Sequence, residues 1–473
     1  METAIARTHD NDIKSVSGLS LPRILELQRS YFESGRTQEY GFRMEQLRRF
    51  QDLVQKYEPK IFKALEKDLG KGRREALMTE IGLIRHEITY LRKHLKSLMK
   101  VKRVATPVHL APSKSYIRPE PLGLVLVISP WNYPFYLSLV PIIGALAAGN
   151  CVVLKPSELS PSCSELMAEM LADIFPEEYV TTFLGGIEVG TNLIDRPWDH
   201  LFFTGSTQVG ASIAEVAGRH LTPLTLELGG KSPCIVTSSA KIDVAAKRIA
   251  FGKLTNAGQT CVAPDYILVD EQVRDSFIPA LQNELSQGFQ ADNPQDTSYG
   301  RIISERHFNR LLQMKEQCRV IWEGPVRAED RFMAPCLLEA ESDSAVLNEE
   351  IFGPLLPVVS YQSWDEAIEF IKRYPKPLSA YLFSEDASDM EQFQSRLSFG
   401  GGCINDTMIH LANNKMSFGG VGPSGMGGYH GKYSFETFSH QKPIVQSSSL
   451  IDPPFRYLPF SSWKEKALRL FLR

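Results

Sequence analysis

The sequence predicts an α/β fold in which a parallel sheet is covered by helices and is followed by a second α/β unit. Three observations predict it. From Leu122 onward short apolar runs at residues 122–128, 151–154, 182–184 and 201–204 alternate with helix-length stretches, the pattern of strands buried on both faces. From about Gly229 a second series, at 266–269, 355–359 and 378–383, is separated by helical segments such as 363–373, without a fixed-period repeat. The 473 residues are 43% hydrophobic, enough to fill the cores of two or three domains.

Taken in order, the N-terminal residues METAIARTHDNDIKSVSG are polar and lack the basic start and apolar stretch of a secretory signal. Ile81, Ile84, Ile88, Leu91, Leu95 and Leu98 recur at steps of three and four, which predicts a long amphipathic helix. Residues 135–154 are nearly uncharged and about long enough to cross a bilayer. Pro141 and the Gly149-Asn150 pair instead split them into an apolar helix and a short strand ending at Lys155. After Gln446 a serine run and the Pro-rich IDPPFRYLP open a tail. In it, Ser462-Trp463-Lys464-Glu465 fits a capping box, and Trp463, Ala467, Leu470 and Phe471 share one face of a short helix. Lys464, Lys466, Arg469 and Arg473 decorate the rest. The helix is too short to span a bilayer, so its apolar face either docks on the protein, the commoner fate, or lies on an anionic membrane surface.

Fifty-two Lys and Arg against 55 Asp and Glu leave a net charge of −3, which removes the bulk electrostatic case for nucleic-acid binding. The seven cysteines are scattered and never form a CxxC pair. That argues against a disulfide framework or a thiolate metal site, and no metal is expected. Cytoplasmic location fits the reduced thiols.

GxGxxG occurs once, at residues 420–425, but no strand delivers it and no helix pattern follows. It reads as a flexible surface loop. Residues 205–210, Gly-Ser-Thr-Gln-Val-Gly, do follow an apolar run and precede a helix-compatible stretch. Backbone N–H groups at such a helix start can hold a pyrophosphate, or the segment is an ordinary turn. Lys155 and Glu158 follow a strand where doubly wound sheets bind cofactors. A carboxylate there accepts ribose hydroxyls and favours NAD over NADP, Lys155 pulls the other way, and a solvated loop is the alternative.

Cys261 stands in Ala-Gly-Gln-Thr-Cys, a small-residue approach suited to a nucleophile, against the default of a packing cysteine. Cys151 and Cys234, flanked by apolar residues, take that default. Glu227 lies in an apolar strand ending in Gly229-Gly230-Lys231. It is either a general base whose pKa burial raises or a partner of Lys231 or a backbone amide. Asn132, held between Pro130 and Pro134, is either an oxyanion donor or a turn Asn.

Together, Pro-Trp-Asn, Lys-Pro-Ser-Glu, Phe-Thr-Gly-Ser-Thr, Leu-Glu-Leu-Gly-Gly-Lys, Gly-Gln-Thr-Cys and Glu-Glu-Ile-Phe-Gly-Pro occur in the order seen in the NAD(P)-dependent aldehyde dehydrogenase superfamily. The chain resembles that superfamily over about residues 25 to 445, and Gly-Gln-Thr-Cys-Val-Ala-Pro-Asp-Tyr resembles its class 3 branch, which includes fatty-aldehyde dehydrogenases. The resemblance implies a Rossmann-type cofactor domain (17–105 and 123–228), an α/β catalytic domain (229–409), a small β oligomerisation element (106–122 and 410–446) and a tail (447–473). It implies Cys261 as nucleophile, Glu227 as general base and Asn132 as oxyanion donor. Lys155 and Glu158 would contact the adenosine ribose, Gly205, Ser206 and Gly210 would border the pyrophosphate, and Glu350 and Phe352 would position the nicotinamide ribose and ring. A homodimer is expected. Tyr133, Phe135 and Tyr136 beside Asn132 favour a medium- or long-chain, apolar aldehyde. The rivals are a CoA-acylating or phosphate-linked reductase, which generally lacks the water-activating carboxylate, and a non-catalytic binding protein.

Overall fold

The computed structural model describes residues 13–289, 299–341, 344–452, 454–459 and 461–471. Most of the N-terminal stretch read against a secretory signal, and Arg473, lie outside them. Two sheets dominate. The first has six strands in the order Gly425–Met426, Leu224–Glu227, His200–Thr204, Leu124–Ile128, Cys151–Lys155 and Val180–Thr182. All its pairs are parallel except the first. The second has seven, in the order Arg319–Glu323, Cys336–Glu339, Leu355–Tyr361, Tyr266–Asp270, Pro233–Val236, Ser379–Phe383 and Gly401–Ile404. Again only the first pair is antiparallel. Fully buried central strands such as Leu124–Ile128 and Cys151–Lys155 explain the continuous apolar runs. A third sheet of three antiparallel strands joins Lys102–Val104, Lys114–Pro121 and Ser439–Gln446.

The amphipathic helix forms at Gly82–Leu98, continuous with a π-helical turn at Leu77–Ile81, and buries Ile84, Ile88, Leu91 and Leu95. The uncharged stretch folds as helix Pro134–Ala148 and strand Cys151–Lys155, both wholly buried. Among the described residues no helix is long and apolar enough to cross a membrane. Pro134 opens that helix with a residue whose missing N–H costs nothing there, and Gly149 closes it at φ 98°. The helix runs through Pro141, so the split comes from the Gly149-Asn150 pair and not from the proline. A proline removes one hydrogen bond, and complete burial of the surrounding helix outweighs that loss.

Other expectations shift. The run at 182–184 pairs as Val180–Thr182, and the strand expected from Leu122 enters the sheet at Leu124. The glycine-rich segment at 418–428 is exposed at Gly422, Pro423, Met426 and Gly427, as expected of a surface loop, but it is tied to the first sheet. Gly425 and Met426 pair with Glu227 and Leu226, and Leu228 N–H donates to Ser424 O at 3.0 Å. Ser424 is buried, its hydroxyl exchanging bonds with Val421. Gly425 at φ 155° and with a virtual Cβ 2.4 Å from Leu226 O shows why glycine is needed there. In the tail the helix Ser462–Phe471 forms but the capping box does not. Glu465 N–H donates to Ser461 O, and the Glu465 carboxylate pairs with Arg469. Trp463 and Leu470 remain 54% and 72% exposed and are not docked on the described residues.

Candidate active site

Cys261 follows a turn of unusual backbone. Asn256, Ala257 and Gly258 all have positive φ, at 53°, 52° and 72°. Left-handed non-glycine residues cost about 1–2 kcal/mol each, so the surroundings must hold them. A Cβ on Gly258 would lie 2.3 Å from Gly353 O. Glycine therefore lets the cysteine loop press against the segment carrying Glu350 and Phe352. Gln259 anchors the loop, donating from Nε2 to Asn256 O and Arg301 O at 3.0 Å and accepting from Ile303 N at 3.0 Å.

Asn132 meets this loop from the other sheet. It follows the buried strand Leu124–Ile128, just before helix Pro134–Ala148. Its Nδ2 donates to Gln259 O at 3.1 Å, leaving a second amide hydrogen for another acceptor. Asn256 Nδ2 bridges Asn132 O at 2.9 Å and Gln259 O at 3.1 Å. The Asn132 side chain thus bonds to the cysteine loop instead of to its own turn.

Glu227 ends its strand with both carboxyl oxygens buried and, among the described residues, without a hydrogen-bond partner. Burial pushes its pKa well above the ordinary carboxylate value. The alternative of a Glu227–Lys231 pair falls away, because Lys231 Nζ bonds Asp265 Oδ2 at 2.5 Å. A Cβ on Gly419 would come 3.3 Å from Glu227 Oε1, so the glycine-rich segment walls the carboxyl. Burial also raises the Cys261 thiol, helped by the nearby charges of Glu350 and Glu227 and opposed by the backbone N–H groups of Cys261 and Val262. Cysteine and both carboxyls therefore share one electrostatic neighbourhood.

Cys261 stands on the wall of a cavity of about 190 Å³ lined almost wholly by apolar surface. Tyr133, Tyr136, Phe418 and His430 line it, and the exposed Met78, Phe251 and Ile409 form part of its wall. Tyr133 O–H pairs with Thr260 Oγ1 at 2.6 Å, and Tyr136 O–H with His430 Nε2 at 2.8 Å. Phe135, grouped with these tyrosines on sequence, is fully buried and does not line the cavity.

At the carboxyl ends of the first sheet, Lys155 Nζ bonds Glu158 Oε2 at 2.8 Å. Burial acts to raise the Glu158 carboxyl, and the Lys155 bond and charge bring it below its usual value. Ser206 caps helix Thr207–His220, its Oγ accepting from Val209 N. A Cβ on Gly205 would strike the Phe203 ring at 2.4 Å, and one on Gly210 the Leu228 side chain at 2.5 Å. Thr204 Oγ1, beside Gly205, is buried without a partner among the described residues. An open helix start beside the unpartnered Thr204 hydroxyl, with a carboxylate just beyond a strand end, fits a dinucleotide. Glu350 Oε2 lies 2.1 Å from where a Gly229 Cβ would be, and burial pushes its carboxyl up to about 8. Phe352, at φ 49°, packs edge-on against Trp131 with centroids 5.4 Å apart. Among the described residues no group of three or more His, Cys, Asp or Glu side chains is arranged to hold a metal.

Sequence reasoning missed Lys71, Glu75 and Glu80. Lys71 Nζ bonds Glu80 Oε1 at 2.7 Å and Asn132 O at 3.1 Å, and Glu75 Oε1 accepts from Asn256 N at 2.7 Å. Single charged residues in a polar helical stretch read as solvated, and no local signal distinguishes them.

The aldehyde dehydrogenase family model matches residues 22–444. The chain is 47% identical to the 4,4'-diaponeurosporen-aldehyde dehydrogenase of Staphylococcus aureus, over 94% of this chain and 97% of that one. It is 42% identical to aldehyde dehydrogenase family 3 member B1 of Homo sapiens, over 94% and 95%. Among solved structures, a substrate-bound state of Staphylococcus aureus AldH superposes with a TM-score of 0.93 at 46% identity, covering 96% of this chain and 99% of that one.

Proposed function

The chain belongs to the aldehyde dehydrogenase family and oxidises an aldehyde to its carboxylate with NAD(P)+, and on that premise we propose that Cys261, Glu227 and Asn132 carry the chemistry. Cys261 releases its thiol proton to solvent, the thiolate sulfur adds to the aldehyde carbon, and the new oxyanion takes hydrogen bonds from the Asn132 side chain and the Cys261 backbone N–H. Held by the residues named below, NAD(P)+ would supply the acceptor for the hydride of this carbon. The substrate is then a thioester on Cys261. Glu227, unpaired among the described residues and held at a raised pKa, takes a proton from the water that attacks it. Hydrolysis frees the carboxylate and restores the thiol. Glu227 favours this outcome over transfer to CoA or phosphate.

Lys155 and Glu158 would meet the adenosine ribose, Gly205, Ser206 and Gly210 the pyrophosphate, and Glu350 and Phe352 the nicotinamide ribose and ring. The Glu158 carboxylate favours NAD, since a 2′-phosphate would face its negative charge. Tyr133 contacts substrate, its ring being on the cavity wall.

The observation that carries the substrate reading is the apolar cavity beside Cys261. We take the substrate to be a medium- or long-chain, apolar aldehyde, in keeping with the 47% identity to a 4,4'-diaponeurosporen-aldehyde dehydrogenase. With NAD+ in excess, kcat/KM should rise from propanal to decanal. A flat series, or preference for a small polar aldehyde, contradicts it.

We divide the chain into cofactor domain, catalytic domain, oligomerisation element and tail as the sequence implies. The three-stranded sheet carries exposed Val104 and Val445 on its outer strands, which supports a homodimer through it. The tail exposes Leu450, Ile451, Leu458, Trp463 and Leu470 near Lys464, Lys466 and Arg469. This favours a cytoplasmic enzyme that rests on an anionic membrane surface. Removing residues 450–473 should abolish sedimentation with anionic vesicles, and unchanged sedimentation refutes that role.

A further inference from the structure

Lys71 and Glu80 form an ion pair with both side chains at 0% exposure. Such a pair loses its hydration, and a well-packed apolar pair is often as stable, so stability alone gives weak reason for it. Its bonds have one destination. Lys71 Nζ donates to Asn132 O at 3.1 Å and sits 4.1 Å from the centroid of the Tyr133 ring. Glu80 uses one oxygen for the lysine and the other to accept Phe135 N and Tyr136 N, at 2.9 and 3.0 Å. Those amides belong to the first turn of helix Pro134–Ala148, whose positive dipole end attracts the carboxylate. Every residue from Asn132 to Tyr136 except Pro134 is therefore gripped by one buried cation and its counter-ion.

Asn132 O is shared with Asn256 Nδ2, and Asn256 N is held by Glu75 Oε1 at 2.7 Å. The segment from Lys71 to Glu80 thus ties the asparagine and the cysteine loop to one rigid piece of the N-terminal helices. Moving Asn132 O would rotate its side chain and the amide hydrogen left free beside Gln259 O.

We propose that Lys71, supported by Glu80, is a positioning residue for the oxyanion site and acts through Asn132; this rests on the oxyanion role assigned to Asn132 above. Loss of the lysine charge leaves Asn132 O with the Asn256 bond alone and Glu80 without its counter-ion. The asparagine then samples geometries in which its free N–H misses the developing charge, and turnover falls while the cofactor site is untouched.

A double-mutant cycle on the full chain tests this with decanal and NAD+. Asn132→Ala should lower kcat about 100-fold, and Lys71→Met about 10-fold with the KM for NAD+ unchanged within about 2-fold. In the Asn132→Ala background, Lys71→Met should cost less than about 2-fold more, since the group it positions is gone. If the two losses multiply in full, Lys71 does not act through Asn132 and the inference is wrong. If Asn132→Ala alone leaves kcat intact, the oxyanion assignment itself fails and carries the inference with it. Should Lys71→Met not fold, Glu80→Gln runs the same cycle, because its amide oxygen still accepts from Phe135 and Tyr136 while the lysine loses its counter-ion.

Discussion

Gly425 pairs with Glu227 in antiparallel register across the edge of the first sheet. The pairing fixes the backbone of a residue whose side chain has no hydrogen-bond partner among the described residues. Gly205 N–H donates to Glu227 O at 3.0 Å, so the same residue also touches the proposed pyrophosphate turn. A rigid backbone with a free carboxyl is what a general base needs: it must reach water without competing bonds.

Replacing Glu227 with Gln keeps the shape and removes the basicity. The variant should form about one equivalent of NADH per site in a burst and then turn over about 100-fold or more slower than the parent. Stopped-flow absorbance at the reduced-nicotinamide band measures both phases. Undiminished steady-state turnover removes Glu227 from the deacylation step.

Cys261→Ser should abolish the burst as well as turnover, because a hydroxyl supplies no comparable anion population. The same stopped-flow trace reads it, and a normal burst would reassign the nucleophile. Cys151 and Cys234, fully buried in the core, should tolerate Ala with activity retained.

The Lys231–Asp265 pair ties the second sheet to the segment carrying Glu350, proposed above to meet the nicotinamide ribose. Lys231 Nζ also donates to Glu349 O at 2.8 Å, and Asp265 Oδ1 accepts Ile351 N at 3.0 Å, bracketing Glu350. Asp265→Ala leaves the lysine buried and unpaired, a loss of about 3–5 kcal/mol. Denaturant unfolding should show it. The KM for NAD+ should rise in the folded variant, and an unchanged KM contradicts the bracketing role.

Glu87 makes stability depend on pH. Burial lifts its carboxyl to about 7, against bonds from Ser434 Oγ and Gly431 N. The folded chain keeps a proton that the unfolded chain releases near its ordinary value of about 4.5. Its contribution is therefore complete below that value and is lost as pH rises through about 7. Glu87→Gln cannot titrate. Its unfolding free energy relative to the parent should grow by up to about 3 kcal/mol between pH 5 and 8. A pH-independent difference contradicts the shift.

The pattern of parallel strands was legible because burial on both faces writes itself as unbroken apolar runs, as in residues 124–128 and 151–155. Glycine spacing misled at 418–428. Its mobility seemed implied by composition, whereas pairing with Leu226 and Glu227 depends on a strand some two hundred residues earlier. The candidate site was readable where residues cluster in motifs, as at Cys261 and Asn132. Lys71 and Glu80 gave no such sign, since only the tertiary fold removes their charges from water.

The most direct test of the account is the covalent state of the cysteine. Glu227→Gln is mixed with decanal and NAD+, quenched in acid, digested and measured by mass spectrometry. A decanoyl mass increment is expected on the peptide containing Cys261, in a stoichiometry matching the NADH burst. A burst with that peptide unmodified, or with the acyl group on another residue, contradicts it.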